Sequence, residues 1–307
     1  MQMQHTIQTS ILLTGVDPYG GSKVEAVIHP AGENTGIIFR AYSGAVKASL
    51  ENASHYHSAI LLSSGNTRVL NVEHILATLY ACGVDNARVE LERTPSRSLH
   101  FFERMGIATD IEVVPLLEGR EKTLCDLLDG VRLQKQQARR SILKLKAPYN
   151  SSRLNFEPIE SGLVIKATTN YPIPREQTLE FEIHPYTYKR QLASSRPYAK
   201  HVPEWMDRRL ASFLAKILYI NFGFGTGLTE ANVITPPKSA EEWYGEQMFQ
   251  RGDEATRHTI VDRLGALALL PGRLEGVKVT AKFSGHANDL LVLKELLKNG
   301  SFSIQES

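Results

Sequence analysis

The sequence predicts an α+β fold, and three observations carry that reading. Several stretches alternate apolar and polar residues with period two, others carry an apolar face with helical spacing, and the two types mix without a regular strand–helix–strand rhythm. The chain has 307 residues, of which 42% are hydrophobic and 22% charged. That is the balance of a globular protein with a substantial core, long enough for two domains. The boundary is expected at the loop Pro148–Ser152, dividing residues 1–147 from 148–307.

The elements follow in order. Residues Thr6 to Arg40 read as strands and turns: Lys23 to Ile28 alternates, Gly20-Gly21 supplies a hairpin break, and Thr35 to Arg40 reads as another strand. The first strong helix runs from Val72 to about Cys82, with Asn71 as its N-cap and Gly83 just past its end. Ala87, Val89 and Leu91 alternate as a strand, and Thr94 to Asp110 reads as an irregular insertion. A second helix is expected from Glu121 to about Arg139. In the second half, strands are expected at Leu163–Thr168 and Leu179–Ile183, a helix at Pro203–Tyr219 and a capping box at Ser239–Glu242. The clearest helix follows Gly252-Asp253 and runs to Leu270, where Pro271-Gly272 stops it. Val277 to Phe283 alternates as a strand, Ser284-Gly285-His286 turns the chain, and Asn288 opens a last helix.

Composition narrows the function classes. Formal net charge is +2, and the most basic stretch, Arg132 to Lys146, reads as a solvated linker face without nucleic-acid motifs, so no nucleic-acid partner is expected. No apolar run approaches the roughly 18–20 residues of a membrane span, and Met1 to Thr14 does not read as a signal peptide. Cys82 and Cys125 are the only cysteines, which fits a reducing, cytoplasmic setting. Gly223 to Gly227 lacks the spacing of a dinucleotide fingerprint, and no G-x-S-x-G elbow of a serine hydrolase is present.

Three places remain for chemistry. Glu73-His74 stands in the opening turn of a helix, where the macrodipole favours an ionised carboxylate beside an imidazole. His258 and Asp262, at i and i+4, share one helix face and are ordinary zinc ligands. His286 sits in a glycine turn ahead of a helix. Alone, each has a plainer reading: a helix-dipole partner, a surface hydrogen bond and a structural cap.

Together they resemble the UDP-3-O-acyl-N-acetylglucosamine deacetylases of lipid A synthesis. Val72-Glu73-His74, His258 to Asp262 and Ser284-Gly285-His286 follow that family's order and approximate separations. Thr14-Gly15-Val16, Thr35 to Arg40, Asn71 to Leu76, Cys82 to Ala87, Val114 to Gly119 and Phe283 to Asn288 are similar to further family segments, spanning nearly the whole chain. The resemblance implies two α+β domains, each a β-sheet packed against helices as a two-layer sandwich, with a zinc site at their interface. His74, His258 and Asp262 would be the ligands, with Fe2+ able to replace Zn2+ on the same donors. Glu73 would be the general base of metal-assisted amide hydrolysis, and His286 would stabilise the tetrahedral intermediate or protonate the leaving amine. The implied partner is a small molecule, an N-acylated sugar or nucleotide sugar.

Departures surround the ligands. Thr259 replaces a family Lys that helps bind substrate, Ala266 an Asp that pairs with the catalytic histidine, Pro197 an oxyanion-assisting Thr, and Tyr19 an early His. Thr259 and Tyr198 are taken as the substrate-binding positions. Loss of both the Lys and the Asp favours a divergent deacylase acting on a different amide. The competing reading is a catalytically inactive metal-binding homologue acting as a sensor. Retention of Glu73 and three N/O ligands with an open fourth position argue for the enzyme.

Overall fold

A computed structural model describes residues 2–18, 21–56, 59–92, 111–117, 121–170, 176–197, 232–234 and 252–306. The predicted insertion at Thr94–Asp110 lies outside these residues. So do the helix at Pro203–Tyr219, the glycine-rich run ending at Gly227, the capping box at Ser239–Glu242, and both Tyr19 and Tyr198.

The α+β expectation holds: strands of the described residues form five sheets, packed against a few helices. The largest sheet has six strands, in the order Leu116–Leu117, Ile11–Val16, Lys23–Pro30, Ala87–Leu91, Ile37–Ala41 and Gly44–Lys47. Its inner face buries Val24, Ala26 and Ile28 at every second position, the period-two signal of the sequence. A four-stranded sheet of Ile111–Val113, Thr67–Leu70, Ala59–Ser64 and Ala53–Tyr56 leads into helix α1, Glu73–Ala81. A second four-stranded sheet joins Leu154–Pro158, Val277–Lys282, Leu163–Thr169 and Gln177–Glu182.

Three further helices complete what positions the site: α2 at Glu121–Val131, α3 at Glu254–Leu267 and α4 at His286–Lys298. Helix α3 packs along α1, and one hydrophobic core runs through Ile75, Leu76 and Leu79 of α1, Leu124 of α2, Leu264 of α3 and Leu293 of α4. The crossing of α1 and α3 is unusually close at Gly265. A Cβ there would lie 2.3 Å from the backbone oxygen of Glu73, so only glycine admits this approach.

Several sequence expectations need correction. The helix expected to reach Arg139 stops at Val131, because Arg132 adopts φ +60° and Leu133–Arg139 pairs antiparallel with Met3–Ile7. Past Leu133 no apolar stripe remains to hold a helix against the core. The supposed linker is two strands: Ser141–Leu145 pairs with Arg273–Leu274 and with Phe302–Glu306. Arg140 between them is mostly buried on Asp85. Asn71 does not cap α1. It adopts φ +68° and its amide donates to Val114 O at 3.5 Å, while the N-cap position falls to Val72 without a side-chain bond. The last helix begins two residues early, at His286 itself.

Candidate metal centre

Three helix segments bring the candidate side chains together. The first turn of α1 carries Glu73 and His74, one face of α3 carries His258 and Asp262, and the first residue of α4 is His286. The imidazoles converge on one atom. Asp262 Oδ1 lies 3.2 Å from His258 Nε2, 3.6 Å from His74 Nε2 and 3.8 Å from His286 Nε2. The donor atoms of His74, His258 and Asp262 all fall within 4.8 Å of one another. Ligands around a tetrahedral ion at ordinary zinc distances stand about 3.3 Å apart, so the spacing of the Asp262 pairs fits such an ion.

The back of each histidine also fits. His258 Nδ1 bonds the backbone oxygen of Ser195 at 3.0 Å, and His74 Nδ1 stands 3.3 Å from Glu121 Oε1. With an ion bound, both arrangements would favour the proton on Nδ1 and free the Nε2 lone pair toward the cluster. Ser195 is held in turn: Glu254, one turn before His258 on α3, takes the Arg196 backbone amide at 2.9 Å and its guanidinium at 2.8 Å on both oxygens.

Glu73 is buried beside the cluster. Its Oε2 accepts the Ile60 backbone amide at 3.0 Å, while Oε1 faces His286 Nε2 at 3.8 Å. His286 is fixed by its turn rather than through its own ring. Arg263 pairs with buried Asp289 and donates to Ser284 O at 2.8 Å, and Ser284 Oγ donates to Asp289 at 2.5 Å. The His286 Nδ1 atom has no hydrogen-bond partner among the described residues, and the chain offers Ala266 where the family resemblance expected a carboxylate.

Burial and charge set the protonation of the group before any ion binds. Burial pushes the Glu73 carboxyl up to about 7, partly offset by His74. Burial lowers His74, but Glu121, Asp262 and Glu73 outweigh it and raise it to about 9. Asp262 would be raised by burial, yet His258 and His286 hold it well below the usual carboxylate range. His286 falls to about 4, chiefly through burial, against the pull of Asp262 and with Arg263 adding to the fall.

The five residues singled out as ligands or catalytic groups thus meet in one place. Thr259 is adjacent but buried, and its hydroxyl donates back to Ala255 O at 3.1 Å. Tyr198 lies outside the described residues. Sequence reasoning missed Glu121, although it shares the core-facing stripe of α2 with Leu124, Cys125 and Leu128, and a carboxylate on an apolar stripe is a signal in itself. It also missed the Ser195 carbonyl, which no side-chain pattern reveals.

An α+β protein with two imidazoles and a carboxylate grouped beside a buried glutamate has the donor set of a mononuclear metal hydrolase. The UDP-3-O-acyl N-acetylglycosamine deacetylase family matches residues 4–298, and the chain belongs to it. The UDP-3-O-acyl-N-acetylglucosamine deacetylase of Wolinella succinogenes is 26% identical over 303 residues, covering 96% of this chain and 90% of that protein. The enzyme of that name from Helicobacter pylori is 25% identical, covering 96% and 91%. The one from Thermodesulfovibrio yellowstonii is 24% identical over 314 residues, covering 100% and 96%. Among the described residues, no helix is long and apolar enough to cross a membrane.

Proposed function

We propose that this chain is a zinc-dependent deacetylase that hydrolyses the N-acetyl amide of a UDP-3-O-acyl-N-acetylglucosamine. The observation that carries the reading is the convergence of His74, His258 and His286 Nε2 on Asp262 Oδ1 with Glu73 alongside, in a chain of this family. Relatives bearing that enzyme name match nearly end to end, which favours the nucleotide sugar over the different amide that the substitutions at Thr259 and Ala266 suggest.

His74, His258 and Asp262 would hold the ion, and the same donors accept Fe2+. A divalent ion there supplies Lewis acidity toward the acyl carbonyl and lowers the pKa of a coordinated water. Glu73, steadied at Oε2 by the Ile60 amide, presents Oε1 to take the proton of the attacking water and return it to the leaving amine. His286 Nε2 stands opposite Oε1, positioned to donate to the oxyanion or to the amine. Thr259 would meet substrate as an acceptor only, since its proton is engaged by Ala255. Tyr198 is carried as the second substrate contact. Cytoplasmic placement is part of the proposal, supported by the free thiols of Cys82 and Cys125.

The test is acetate release from UDP-3-O-acyl-N-acetylglucosamine by the zinc-loaded chain, with Glu73→Gln beside it. Turnover is expected in the first and a loss of about 100- to 10,000-fold in the second, with zinc still bound. Undiminished turnover in Glu73→Gln would sink the mechanism. A folded, zinc-bound chain without turnover would favour the binding or sensing role instead.

A further inference from the structure

We propose that Glu121 is a positioning residue of the metal centre: its carboxylate faces the Nδ1–H of His74 as acceptor, fixes that ring, and sets how tightly the site holds its ion. This rests on the reading of His74, His258 and Asp262 as metal ligands and deepens it.

The first-turn position of Glu121 on α2 has a simpler explanation, a carboxylate answering the helix dipole. Such a residue works equally well in solvent. Glu121 is instead only 4% exposed, on the stripe with Leu124, Cys125 and Leu128 that faces the core. Its Oε1 is 3.3 Å from His74 Nδ1, and its Oε2 is buried with no hydrogen-bond partner among the described residues. Burying a carboxylate with one oxygen unsatisfied is a poor way to stabilise a fold. It is a good way to place a negative charge behind an imidazole whose other nitrogen binds a cation, because that charge raises the basicity of the ligand and locks its tautomer.

The two histidines make the point by contrast. His258 is backed by a neutral carbonyl, that of Ser195, whereas His74 alone is backed by a full charge. Removing that charge therefore affects the ion through one ligand and leaves the other two in place.

The experiment is zinc titration of the metal-stripped full chain against a chromophoric chelator, for wild type, Glu121→Gln and Glu121→Asp, with thermal unfolding of each metal-free protein. Glu121→Gln is expected to weaken zinc binding by about 10- to 100-fold, more than any fall in the metal-free melting temperature accounts for. Glu121→Asp, which keeps the charge but draws it back, is expected between the two. It carries the comparison alone if the Gln variant does not fold. Zinc affinity equal to wild type in both variants overturns the proposal, and so does a loss of affinity that only tracks a lower metal-free melting temperature. A wild-type chain that binds no zinc overturns the metal reading as well, so the two failures are told apart by the wild-type titration.

Discussion

His74 on α1 and His258 on α3 present the same atom to the same carboxylate oxygen, but what stands behind them differs in kind. Behind His74 is one side chain, Glu121, reaching across from α2. Behind His258 is the main chain at Ser195, and that segment is clamped by Arg196 to Glu254 on the helix that carries His258 itself. A side-chain anchor is open to a single substitution. A backbone carbonyl cannot be mutated away and is reached only through whatever holds its segment. The α1 side of the centre is therefore adjustable in its chemistry, and the α3 side is fixed by its architecture.

Both sides depend on the distance between the two helices, which gives the largest expected effect. Gly265→Ala puts a Cβ 2.3 Å from the Glu73 carbonyl oxygen, and backbone cannot rotate aside as a side chain does. Helix α3 has to move away, taking His258 and Asp262 from His74 and Glu73. The overpacking itself costs about 1–3 kcal/mol, and a displacement on the order of 1 Å in a catalytic arrangement costs about 100-fold in rate. A purified Gly265→Ala variant with wild-type deacetylation and zinc content would break the account of how the two sides meet.

A smaller effect separates the sides. Glu254→Gln removes the carboxylate that the buried Arg196 guanidinium pairs with, at a cost of about 3 kcal/mol. The Ser195 carbonyl stays in the chain, so zinc affinity falls by about tenfold at most. The signature is large in denaturant unfolding and small in zinc titration, the reverse of that expected for Glu121→Gln. If both variants showed the same ratio of stability loss to affinity loss, the distinction between the two anchors would collapse.

The same contrast explains what could be read from the sequence. His258 and Asp262 were legible because i,i+4 spacing fixes their relation within one helix, and Glu73-His74 because the residues adjoin. That these pairs belong together was not legible from spacing: Gly265 brings α3 onto α1 through space, and only the family resemblance joined them beforehand. The strands from Lys23 to Pro30 and from Val277 to Lys282 announced themselves by alternation, each burying every second residue. Leu133–Arg139 did not, because its Gln- and Lys-rich composition suits a helix, and its strand conformation comes from pairing with Met3–Ile7, more than a hundred residues earlier. Asn71 misled for a related reason. Asparagine serves both as an N-cap and as a left-handed residue, and the turn into α1 uses the second capacity.

The smallest effect at the metal is expected from a charge cluster elsewhere in the fold, which makes it the control. Asp85 accepts from Arg140 at 2.6 Å and from Arg273 at 2.7 Å, tying residues of the first half of the chain to one near its end. The His5 amide also donates to it, and Tyr80 lies nearby. Burial would raise its carboxyl, but Arg273 and Arg140 more than reverse this and hold it below 3.8. A carboxyl depressed in the folded state stabilises in full above its unfolded pKa, and the contribution drains away as pH falls through the lower folded value. Asp85→Asn should therefore lower the melting temperature near neutral pH, by a stability loss of about 3 kcal/mol. The gap to wild type should narrow as pH drops below 3.8. Zinc affinity should stay within about twofold of wild type, since independent sites add without coupling. A gap that persists unchanged in acid would mean that Asp85 acts through shape and hydrogen bonding rather than charge. A fall in zinc affinity would mean that the adjustable and fixed sides of the centre are less local than their contacts indicate.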